Sequence, residues 1–275
     1  MNSKSGRPEG FELNKYAIVI TTLFVLTLVA IFLLPPAVSD LRLLPAGLET
    51  FVAGIVGWRA SRMFGGRRNF TGRVLILFSL AIFGYTIAAA VTVLKDLQLF
   101  PTPVLLSESG ISTWIGVLAG CFSAYALVAS VRSLWDRYDH KTLLVILFSL
   151  ALALVVGSTN LVYADAVFGQ TTVSDTVLWV GLVPILAFLQ LASAILLLRF
   201  LGRWYAAKNL VVLTLAYVFY SALIPLMTSL VAFLLVQSAN FDTAFFFIHL
   251  SANFALYLVC MAMTQVRPRV TGPFY

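Results

Sequence analysis

Four polar side chains stand where the sequence is otherwise almost continuously apolar: Glu49, Gln190, His249 and Asn253. Polar groups are costly to place among apolar neighbours in a membrane, so these are the first candidates for binding or proton transfer. His249 and Asn253 are four residues apart and share one face of a helix. A contact between Glu49 and His249 would make a titratable pair in the outer half of a helix bundle, suited to proton coupling or ligand binding. The competing reading leaves Glu49 facing the outer headgroups and His249 hydrogen-bonded to a neighbouring helix. For Gln190, a hydrogen bond between helices is the ordinary role, contributing on the order of 0.6 kcal/mol.

Other chemistries find less support. His140 falls in a polar loop, far from His249, so the chain does not offer two histidines at one depth for a haem. No phosphate-cradling glycine loop, HExxH, GxSxG or CxxC pattern is present. No cofactor, metal site or catalytic residue is therefore expected, and the chain reads as a non-enzyme. Cys121 and His249 raise one enzymatic alternative. With about eight helices around them, they resemble the membrane-embedded cysteine transpeptidases of the archaeosortase and exosortase kind, which use Cys, Arg and His near the outer face. The departures are plain: Cys121 is followed by Phe122, Ser123 and Ala124, and no arginine stands in the outer half of a later helix.

The elements that must position these residues are set by composition. The chain has 275 residues, 61% of them hydrophobic and only 11% charged, with a mean hydropathy of +0.98. A soluble domain of this length needs more charge to cover its surface, so the solvent is lipid. A span takes roughly 20 apolar residues, and eight runs qualify: 16–37, 44–63, 74–94, 111–134, 142–163, 176–198, 210–236 and 241–264. The second is interrupted by Glu49, Arg59 and Arg62. The first is too long for a signal-peptide core and reads as a retained helix. The predicted fold class is thus all-α, a polytopic integral membrane helix bundle of about eight spans. Residues 1–15 and 265–275 form polar tails around a bundle at 16–264.

Charge gives the threading. Cytoplasmic loops collect Lys and Arg, and with eight spans every basic residue except Arg42 and Lys95 falls on one side. The other side carries Asp40, Glu49, Asp96, Glu108, Asp165, Asp175 and Asp242. Both termini are therefore expected in the cytoplasm, in a multi-pass protein of the cell membrane. The net charge of +7 is this topology signal plus contact with anionic headgroups, not a nucleic-acid surface.

Two further patterns bear on assembly. Gly116, Gly120 and Ala124 recur at four-residue spacing, which lets two helices approach closely. Residues 62–87 overlay 199–224 without gaps, matching at Arg62/Arg199, Gly65/Gly202, Val74/Val211 and Ile87/Ile224. This suggests a four-plus-four pseudo-repeat with a site at the seam between halves.

Residues 56–132 carry a helix ending in Arg62, a basic loop from Arg67 to Arg73, an outward helix through Phe83 and Gly84, and an outer loop with Pro101, Pro103 and Glu108. This stretch resembles the multi-pass membrane sensor modules of archaeal and bacterial signalling proteins. The resemblance implies a sensory or scaffolding module, or an accessory subunit, acting through contacts with other membrane proteins or in a homo-oligomer. No output domain follows Arg269 here. A transporter or channel for a small molecule, ion or lipid is the alternative, and it predicts a cavity lined by Glu49, Gln190, His249 and Asn253.

Overall fold

The computed structural model of the chain describes residues 10–34, 41, 43–97, 110–134, 140–168, 177–201, 208–238 and 241–266. Eight α-helices account for nearly all of them: α1 Gly10–Leu33, α2 Leu43–Met63, α3 Phe70–Asp96, α4 Gly110–Leu134, α5 His140–Phe168, α6 Val183–Leu201, α7 Lys208–Ser238 and α8 Phe241–Thr264. No strand occurs among the described residues. Helices suit this composition because each satisfies its own backbone hydrogen bonds without water.

Five segments are both long and apolar enough to cross a membrane: Lys15–Leu33, Phe70–Leu94, Trp114–Arg132, Val180–Phe200 and Phe246–Thr264. The protein is a membrane protein. The apolar stretches described in α5 and α7, Lys141–Val155 and Val211–Ile224, are shorter. Helix α2 has the length, at 21 residues, but its charged and small residues lower its hydropathy. Its inner face, from Ala46 through Glu49, Ala53 and Gly57 to Ala60, is buried against protein.

Some boundaries differ from the apolar runs. Helix α1 stops at Leu33, just short of Pro35 and Pro36, because the residue before a proline is pushed out of helical geometry. His140, expected in a loop, opens α5, and Asp165, expected in an outer loop, lies within the same helix. A π-helical turn, Val177–Leu182, leads into α6 just ahead of Pro184. Proline has no N–H to give to the carbonyl four residues back. That carbonyl, on Val180, lies near Gly157 of α5, whose missing side chain leaves room for the Pro184 ring.

Six helices close a circuit of contacts: α2 on α3, α3 on α4, α4 on α6, α6 on α7, α7 on α8, and α8 back on α2. Across its middle, Phe78 of α3 meets Tyr217 of α7 with ring centroids 4.6 Å apart, both rings almost fully buried. Helix α1 lies outside the circuit on α2 and α8, and α5 lies outside on α6 and α7. Their outward faces are apolar and open: Ile18 and Phe32 on α1, Leu144 and Phe148 on α5. The pairs α4–α6, α8–α2 and α8–α1 join the first four helices to the last four.

Small residues set the closest approaches. A Cβ on Gly54 would lie 2.6 Å from the Phe83 ring, and one on Gly84 would lie 2.7 Å from the Ala119 Cβ. In lipid, where hydrophobic burial gives helices little reason to associate, such close packing is the main attraction. Polar contacts add to it. The hydroxyls of Thr50 and Thr86 are 2.7 Å apart between α2 and α3. Arg59 donates to the Tyr16 hydroxyl at 2.7 Å and lies over the same ring at 5.7 Å. Tyr257 of α8 stacks on Phe24 of α1 at 4.2 Å and stands 3.2 Å from the Thr21 hydroxyl.

Candidate functional site: a cavity with an uncharged polar floor

Between α3, α4, α6 and α7 lies a cavity of about 260 Å³. Its apolar wall includes Val117, Val183, Leu186 and Ile224. Its polar groups come from three helices: Tyr85 of α3, Gln190 of α6, and Tyr220 with Ser221 of α7. Among the described residues, no Asp, Glu, Lys, Arg or His lines it.

The floor is organised by Gln190, which is buried. Its amide Nε2 donates to the Ser123 hydroxyl at 2.8 Å and to the Gly120 carbonyl at 3.2 Å, both on α4. Those bonds fix which way the amide points and leave its carbonyl as the acceptor. The Tyr85 hydroxyl lies close to the side chains of Gln190, Ser123 and Tyr220. The rings of Tyr85 and Tyr220 stand 6.3 Å apart. Ser221 is occupied differently, donating back to the Tyr217 carbonyl of its own helix at 2.7 Å.

The glycines of α4 have divided roles. A Cβ on Gly120 would come within 3.2 Å of Leu186, so this glycine marks a close α4–α6 approach. One on Gly116 would meet no atom within 4 Å, and Gly116 opens directly onto the cavity. Ala124 is buried.

The other candidates lie elsewhere. Glu49 is 1% exposed on α2, so the reading that set it among outer headgroups is corrected by its burial. Its Oε1 has no hydrogen-bond partner. Asn253 is also buried and donates to the His249 carbonyl of its own helix at 2.8 Å, while His249 itself is half-buried. The register of α2 on α8 is set by Gly57, where an added Cβ would lie 2.6 Å from Met263. Gln190 is thus brought to the cavity, and Glu49, His249 and Asn253 do not line it. Cys121 is exposed on α4 and Cys260 is buried in α8.

Tyr85, Ser123 and Tyr220 were not singled out by sequence. Tyrosines and serines are scattered through the apolar runs, and nothing local says which ones meet across the bundle. Compared with known protein families, curated proteins and solved structures, the chain matches none of them.

Proposed function

We propose that the protein is a non-catalytic multi-pass membrane module, sensory or accessory, that holds a small molecule within its helices and acts through contacts with partner membrane proteins. The observation that carries this reading is the cavity with its uncharged floor at Gln190, Tyr85 and Tyr220. Four helices from both halves of the chain line it, so occupancy bears on how the halves sit against each other. Such a differential contact is what a ligand needs to shift a conformational equilibrium. The resemblance of residues 56–132 to membrane sensor modules points the same way.

With this reading go eight spans, both termini in the cytoplasm, and residence in the cell membrane. The one-sided distribution of Lys and Arg supports them. The test is gentle extraction from native membranes followed by intact-complex mass spectrometry. A protein partner at fixed stoichiometry is expected. A lone chain, extracted under conditions that keep other complexes whole, would overturn the module reading.

A second reading, transport of a small molecule or ion, is favoured by Glu49 alone. A buried carboxyl with an unpartnered oxygen is the kind of group that proton pathways use. In proteoliposomes carrying an entrapped pH dye, this reading expects Glu49→Gln to slow proton movement at least about a hundredfold, the scale of a lost proton-transfer group. Wild-type rates in that variant would remove it.

A further inference from the structure

We infer that the cavity between α3, α4, α6 and α7 is a binding site for an uncharged amphiphile, a molecule with an apolar body and one hydroxyl or carbonyl head. This deepens the reading of the protein as a ligand-holding module and rests on it.

The class follows from what lines the space. An ionic head would enter a low-dielectric site without a counter-charge, because among the described residues no Asp, Glu, Lys, Arg or His lines the cavity. A pure hydrocarbon would face the Gln190 carbonyl and the remaining hydrogen-bonding capacity of the Tyr85 and Tyr220 hydroxyls with nothing to offer them, which carries its own penalty. A neutral oxygen head avoids both costs. Each tyrosine hydroxyl can donate once and accept as well. The Gln190 amide hydrogens are committed to Gly120 and Ser123, so Gln190 offers its carbonyl. A hydroxyl head can therefore accept from one tyrosine and donate to a neighbour, and a carbonyl head can accept only. The body then lies against Val117, Val183, Leu186 and Ile224. Gly116 provides room, since nothing occupies the place its side chain would take.

Tritiated decanol is the probe, with tritiated decanoate as its charged counterpart, measured for saturable retention on the full chain in detergent. Wild type is expected to retain decanol and not decanoate. Gly116→Leu fills the cavity from a position where its Cβ meets no atom, so it should elute and melt like wild type yet lose saturable binding. Tyr220→Phe keeps the ring and removes only the hydroxyl, and it should weaken decanol about tenfold, the scale of one hydrogen bond. Should Gly116→Leu fail to fold, Tyr220→Phe decides alone. Equal decanol binding by a folded Gly116→Leu or by Tyr220→Phe would overturn the assignment. So would equal retention of decanoate, or no saturable binding by wild type. A partner found by mass spectrometry with no decanol site would sink this inference and leave the module reading standing. A decanol site on a chain without partners would do the reverse.

Discussion

Replacing Gly84 with leucine is expected to destabilise the bundle by about 1–3 kcal/mol, the usual cost of overpacking a close contact. A Cβ at this position would sit 2.7 Å from the Ala119 Cβ and 3.4 Å from its Cα. Alanine has no rotamer that moves its Cβ aside, so relief comes only from separating α3 and α4. Helix α3 is not free to retreat. On its other sides Phe83 fills the space over Gly54 of α2, and Phe78 packs on Tyr217 of α7. The loss is read as a drop in thermal midpoint in detergent. Ile87→Leu, on the exposed face of the same helix, serves as the neutral comparison. A Gly84→Leu protein melting with wild type would show that the two helices do not meet there.

The second large effect has the opposite sign. Glu49→Leu is expected to stabilise the folded protein by about 1–3 kcal/mol, the desolvation penalty of a buried polar group left unsatisfied. Glu49 is 1% exposed and one of its carboxyl oxygens has no partner. Leucine offers a similar reach with nothing to desolvate. The same thermal measurement reports it, and a lower midpoint would mean that the carboxyl has a bond worth keeping. A stabilising result with loss of function would mark Glu49 as a residue retained against the interest of stability, the usual signature of a working site.

The helices were legible in the sequence for a simple reason: a span must be apolar and about 20 residues long, and both properties are local. Even α2, with Glu49, Arg59 and Arg62 in it, was placed to within a residue at each end. Its Glu49 is hidden by packing rather than by lipid, while Arg59 and Arg62 stay exposed, a difference hydropathy alone does not report. For that reason the sequence left two readings of Glu49 open, inside the bundle or facing the headgroups, and its burial decides for the first. The site was less legible. Gln190 was visible as an amide among apolar residues, but its partners Gly120 and Ser123 lie about seventy residues away in the chain. Tyr85 and Tyr220 are farther apart still, on helices that meet only through the fold. Gly116 was noticed for its spacing, yet spacing does not separate a glycine that admits a neighbouring helix from one that leaves a hole.

The α2–α8 seam also has a consequence for how the protein is made. Helix α8 is the last of the eight to leave the ribosome, and it covers α2, the second to emerge. Until α8 arrives, the face of α2 that carries Glu49 and Gly57 has only α1 and α3 beside it. A nascent chain therefore carries an uncovered polar flank through most of its synthesis. Closure by α8 is what ends that exposure.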